Sequence, residues 1–139
     1  MKKRIIIFFS ALALLAGCEI FVIGRPDAKV KTEKAEIDRF TPKGSLLLFK
    51  TELDSNNIAA AARMLSDSTG RRLSAVDQYE QYNEMLRLKN LIGLKKITSL
   101  EEDSLSPYHY AIRIEIDSFR RMDFNLTKIE NYWYISNYK

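Results

Sequence analysis

Tyr108-His109-Tyr110-Ala111-Ile112-Arg113-Ile114-Glu115-Ile116-Asp117 is the stretch that decides the fold. Tyr108, Tyr110, Ile112, Ile114 and Ile116 alternate with His109, Ala111, Arg113, Glu115 and Asp117. Successive side chains of a strand point to opposite faces, so this alternation predicts a strand with one apolar and one polar face. The same period recurs downstream. Met122, Phe124 and Leu126 alternate with Asp123, Asn125 and Thr127, and residues 132–138 form a last strand after a turn near Glu130-Asn131. The gaps at 117–121 and 128–131 are too short for a crossover, so these strands are antiparallel neighbours. Rings crowd this third of the chain, as suits a pleated, half-buried surface. Upstream, 94–100 reads as a weakly patterned first strand. Glu101-Glu102-Asp103 reads as a solvated loop before 104–107.

At Gly93 the period changes from 2 to about 3.6. Before it, Ser74 caps a helix with Asp77 three positions on, a capping-box arrangement. Val76, Tyr79, Met85 and Leu86 carry that helix to Ile92, and Gly93 is its stop. Residues 66–72 form a loop with Gly70. Residues 58–65 read as a short helix with Ile58, Ala61, Ala62 and Leu65 on one side. Thr41-Pro42 opens the first helix, a hydroxyl at the N-cap and proline at the first helical position. Leu46, Phe49 and Leu53 make its stripe, and Asp54-Ser55-Asn56-Asn57 ends it. The expected architecture over residues 41–139 is α+β: about three N-terminal helices on a cone-like antiparallel meander of about four strands.

The N-terminus has a different character. Met1-Lys2-Lys3-Arg4 is basic, residues 5–15 are an apolar run, and the small Ala16 and Gly17 precede Cys18. Positive, apolar, small is the pattern of a secretory leader. The run is shorter than the roughly 20 residues a spanning helix needs. Leu15-Ala16-Gly17-Cys18 resembles the lipobox of bacterial lipoproteins at all four positions. The resemblance implies that residues 1–17 are a signal peptide and that the Cys18 thiol takes diacylglycerol. It also implies cleavage before Cys18 and a further acyl chain, such as palmitate, on the new amino terminus. Two or three chains hold stably, at roughly 0.8 kcal/mol per buried methylene. The chain is then exported and anchored to a membrane through Cys18, facing the periplasm. Glu19 in place of Asp slightly favours the outer over the inner membrane. Residues 18–40 read as the lipidated N-terminus and linker, with a turn-prone Gly24-Arg25-Pro26-Asp27 and a mixed-charge run at 28–39.

Composition bounds the function. A chain of 139 residues fits one domain. Three of its 22 basic residues lie in the leader, leaving 19 against 18 acidic. That balance gives no support for nucleic-acid binding, which calls for a concentrated basic face. Cys18 is the only cysteine, so no intrachain disulfide and no cysteine metal or redox motif is possible. His109 is the only histidine, so a metal site would depend on carboxylates. No spaced acidic calcium loop, Gly-x-Ser-x-Gly elbow or glycine-rich phosphate loop occurs. The sequence therefore indicates no metal and no cofactor.

Helix, short helix, longer helix and a meander ending in Lys128-x-x-x-x-Trp133-x-Ile135 is similar to the cone-shaped domains of the nuclear transport factor 2-like (cystatin-like) superfamily. Phe49-Lys50-Thr51-Glu52-Leu53 followed by Asn56-Asn57-Ile58-Ala59-Ala60-Ala61 resembles the opening of its uncharacterised lipoprotein members. The departure is Glu130-Asn131-Tyr132, where members often have Asp-Gly before the tryptophan. The resemblance implies a cavity between helices and sheet, with Tyr79, Tyr82, His109, Tyr110 and Trp133 as candidate pocket residues. The residues by themselves point elsewhere: tyrosines on such stripes are ordinarily core or rim, and no pair of titratable groups is spaced to tune one another. The expected function is a non-enzymatic, lipid-anchored envelope module that binds an envelope protein or itself. The alternative is a small-molecule pocket protein or enzyme using that cavity. A spacer, or the immunity partner of a toxin, is a third possibility.

Overall fold

The computed structural model describes residues 36–139. Cys18, the leader and the linker up to residue 35 lie outside the described residues. Four helices precede four strands: α1 (Pro42–Asp54), α2 (Ile58–Ala62), α3 (Ala75–Glu80), α4 (Tyr82–Ile92), β1 (Ile97–Ser106), β2 (His109–Ile116), β3 (Arg120–Ile129) and β4 (Tyr132–Tyr138). The sheet is an antiparallel meander in the order β1-β2-β3-β4. The architecture is the α+β arrangement expected from the sequence.

The helices form for local reasons. Thr41 Oγ1 accepts from the Gly44 amide at 3.0 Å, and Pro42 opens α1. Leu46, Phe49 and Leu53 then fall on one buried face. Beside them the buried Ser45 hydroxyl donates to the Trp133 carbonyl at 2.7 Å, fixing α1 to β4. Ser74 and Asp77 make the expected reciprocal capping box.

Three expectations need correction. The short second helix ends at Ala62, because residues 64–66 leave it to bond with β4: Ile135 N–H donates to the Met64 carbonyl and Ser66 N–H to the Ile135 carbonyl, each at 2.9 Å. The helix expected from Ser74 to Ile92 is two helices meeting at Gln81. The break lets α4 bury Met85, Leu88 and Ile92, while α3 buries nothing and leaves Val76 and Tyr79 outside. Glu101-Glu102-Asp103 is not a loop. It lies within β1, paired with Arg113, Ile112 and Ala111 of β2. The backbone ladder with β2 overrides a side-chain pattern that has no apolar periodicity.

Gly93 ends α4, but not in a left-handed conformation. Its φ is −62°, and a Cβ there would sit 2.5 Å from the Lys89 carbonyl oxygen. Close approach requires glycine, and the positive φ falls on Leu94 instead, at 59°.

The core lies between helices and sheet. Phe49 from α1 meets Phe124 of β3 edge-on, with ring centroids 6.4 Å apart. Ile112, Ile114, Ile116, Leu126 and Ile135 fill the rest from the sheet side. Burying each such side chain contributes about 1.5–3 kcal/mol. The buried core of the described residues lies within the compact unit Lys34–Lys139. Among the described residues no helix is long and apolar enough to cross a membrane.

Candidate functional site

The two edges of the sheet differ. At β4, the Trp133 amide donates to the Arg39 carbonyl at 2.9 Å, and residues 64–66 bond to Ile135 as a short parallel strand. Residues 38–40, expected to be the end of the linker, are thus docked on the domain. The Arg39 guanidinium lies 4.3 Å from the Tyr134 ring centroid and 5.3 Å from that of Tyr132. Its Nε and Nη2 are buried without a hydrogen-bond partner among the described residues, so the two rings are the compensation available to the charge. Arg72 approaches Tyr134 at 5.5 Å and pairs with Glu130 at 2.6 Å. Tyr134, on the sheet's outer face, is buried as a result.

β1 has no such cover. Among the described residues nothing pairs with its outer edge, and seven of its ten residues are exposed. Glu101, Glu102 and Asp103 stand in succession at its centre. Their ion pairs are loose: Glu101 to Arg113 at 3.8 Å and Glu102 to Lys43 at 3.9 Å. Arg113 instead binds Asp123 tightly, Nε donating to Oδ1 at 2.7 Å, and that hydrogen bond raises the guanidinium pKa further. An exposed row of unpaired backbone donors and acceptors is a template for another strand.

The outer face of the sheet carries a second feature, an open cleft of about 730 Å³ beside the loop at 67–71. His109, Asn125, Thr127 and Asn137 line it from the sheet, and Thr69 and Gly70 from the loop. His109 Nδ1 lies 3.2 Å from Thr127 Oγ1. The loop is held by Asp67, whose Oδ1 accepts from the amides of Thr69 at 2.9 Å and Arg71 at 2.8 Å. The Arg71 amide, then the Thr69 hydroxyl, lower the Asp67 pKa to about 2.

The five candidate pocket residues do not meet at one site. Trp133 is buried against Tyr110, edge to face at 5.2 Å. Tyr110 and His109 both border the outer-face cleft. Tyr79 is 81% exposed on α3, and Tyr82 is exposed at the start of α4. Where the resemblance implies a cavity, Phe49, Leu53, Ile112 and Phe124 fill the space between helices and sheet. No group of His, Cys, Asp or Glu among the described residues is placed to hold a metal ion. The residue that carries the most perturbed tyrosine hydroxyl, Tyr138, escaped the sequence reading. Burial, with the Glu84 carboxylate accepting at 3.3 Å, raises its pKa to about 12. The acidic β1 edge also escaped it: Ile97 and Leu100 share a face only through the register shift between Ile97 and Ser99, which their spacing of three conceals.

Compared with known proteins, the chain matches no family model, and no curated protein is similar to it.

Proposed function

We propose that the chain is a lipid-anchored envelope protein that binds a partner through the bare edge of its sheet. The partner contributes an extended basic segment that adds to β1 as a fifth strand. The carrying observation is the contrast between edges: β4 is covered from two sides, and β1 presents ten residues with no outer neighbour among the described residues. Strand addition draws affinity from backbone hydrogen bonds and specificity from side chains. Glu101, Glu102 and Asp103 supply the charge that selects a basic segment. The same run argues against self-association through this edge. Two β1 strands paired antiparallel about their centres set the acidic residues against one another.

The anchor in this reading is Cys18, within Leu15-Ala16-Gly17-Cys18, with the domain facing the periplasm and the outer membrane slightly favoured. The element order supports kinship with the nuclear transport factor 2-like superfamily. The small-molecule alternative rests on open clefts, the one around His109 and Thr127 and one of about 410 Å³ where Gln81 and Glu84 face Ile135 and Tyr138.

The test has two parts. Metabolic lipid labelling is expected in the full chain and lost in Cys18→Ser; label that survives removes the anchor. A photo-crosslinking side chain at Asp103 in the full chain is expected to give one discrete adduct in intact cells, and the same probe at Tyr79 none. The adduct disappears when Glu101 and Glu102 are changed to lysine. An adduct that persists through the charge change, or none above the Tyr79 control, rejects the edge as the binding site.

A further inference from the structure

One end of the domain gathers unpaired cations around exposed apolar tips. The loop after α4 and the β2–β3 turn meet there. The Asp117 amide donates to the Lys96 carbonyl at 3.0 Å, the Lys96 amide to Asp117 Oδ1 at 3.3 Å, and the Ser118 amide to Thr98 Oγ1 at 3.1 Å. Leu94 is 83% exposed and Phe119 75% exposed, with Leu91 partly exposed beside them. Lys89 comes from the last turn of α4 and Lys95, Lys96 and Arg120 from these two segments, and none has an acidic partner within 4.0 Å among the described residues. Most of the other cations among the described residues are paired. Lys89 Nζ donates to Asn56 Oδ1 at 2.7 Å and Lys95 Nζ to the Leu91 carbonyl at 2.8 Å, neutral acceptors that leave the charge uncompensated. The nearby carboxylates are engaged: Asp54 holds Lys50 and the Leu94 amide, and Asp117 holds the Lys96 amide.

The backbone here is also costly. Leu94 has φ 59°, and Asp117 and Ser118 have φ 52° and 64°. A left-handed conformation is unfavourable for a bulky side chain. At Leu94 it places an apolar group in solvent, where glycine would be the stable choice. Exposed leucine and phenylalanine at loop tips ringed by lysine and arginine have the composition of surfaces that enter the headgroup layer of an anionic bilayer.

We propose that this end, with Leu94 and Phe119 inserting and Lys89, Lys95, Lys96 and Arg120 facing headgroups, docks on an anionic membrane surface. The contact is separate from the strand-binding edge and does not depend on a lipid at Cys18, so it is tested on the chain from residue 18 to 139 carrying Cys18→Ser. The probes are vesicles of phosphatidylcholine, with and without phosphatidylglycerol, in a sedimentation assay. Binding is expected with phosphatidylglycerol, near background without it, and lost at high salt. Lys95→Glu with Lys96→Glu lowers the bound fraction about tenfold or more. Phe119→Ser lowers it with the charges unchanged. Leu94→Gly separates function from folding: it raises the melting temperature by removing the strained side chain, and it weakens vesicle binding. Lys128→Glu, near the other end of β3, leaves binding unchanged. No sedimentation with anionic vesicles overturns the proposal and directs these cations to an acidic protein. So does equal binding to neutral vesicles, or wild-type binding by both Phe119→Ser and Leu94→Gly.

Discussion

At its β4 edge the sheet is sealed by the backbone of Arg39 and residues 64–66, while at its β1 edge ten residues stand without an outer neighbour among the described residues. The sealed edge is aromatic and apolar: Trp133, Tyr134 and Ile135 are all buried. The bare edge is acidic and exposed. The difference shows two ways of preventing uncontrolled strand pairing. One satisfies the backbone from within the chain. The other leaves it open but charges it, so that a strand of like charge is repelled and a basic one is admitted. The first strand has little to contribute to stability, and the last has much.

The largest expected effect tests that inequality. Trp133→Ala removes a buried ring from β4 and costs about 3–5 kcal/mol in urea unfolding. Leu100→Ala, at a half-buried position of β1, costs less than about 1.5 kcal/mol. Equal losses would break the comparison. Arg39→Ala is next, at about 0.5–2 kcal/mol, from the loss of its stacking on Tyr134 and Tyr132. It also increases hydrogen exchange at the Trp133 amide, which a purely superficial arginine would not affect.

Two pH windows sharpen the contrast, because both groups lie on the sealed side. Asp67 has its pKa lowered from 3.8 to about 2, principally by the Arg71 amide. Its contribution is complete above about pH 4 and is lost as pH falls toward about 2. Asp67→Asn is expected to remove that part of the acid dependence of the melting temperature. Tyr138 has its pKa raised from 10.0 to about 12, principally by burial and then by Glu84. Its contribution is present below about pH 10 and is lost as pH rises toward about 12. Tyr138→Phe flattens this alkaline limb, and a phenolate absorbance titration of the wild type shows one tyrosine ionising later than the rest. The smallest effect belongs to the bare edge. Reversing Glu101 and Glu102 to lysine changes stability by about 0.5 kcal/mol or less per site, while abolishing the crosslink from a probe at Asp103.

The elements legible in the sequence are those whose own side chains carry the signal. The alternation of 108–117 and 122–127 gave β2 and β3, since both strands bury one face and expose the other. Leu46, Phe49 and Leu53 gave α1. The first strand expected at 94–100 overlaps β1 at 97–100, but residues 101–106 were hidden because they are almost all exposed and have no burial to imprint a period; their pairing with β2 is a backbone fact. The break at Gln81 was hidden because Val76 and Tyr79 extend the apolar pattern of α4 while facing solvent. Of the candidate pocket residues, the sequence supplied the right strand for His109, Tyr110 and Trp133. It had no means of knowing that Phe49 and Phe124 close the space between helices and sheet, since that is a matter of volumes contributed by distant segments.

The sequence by itself determined an α+β order, antiparallel strands and the starts of α1, α2 and α3, because these follow from short-range periodicity, caps and gap lengths. Tertiary structure alone decided which edge is sealed, where the unpaired cations gather and which tyrosines are buried. Those depend on the Arg39 and Ile135 backbones and on the Lys96–Asp117 contact, which join residues 20 or more positions apart. Long-range pairing of this kind leaves no mark on the local pattern of either partner.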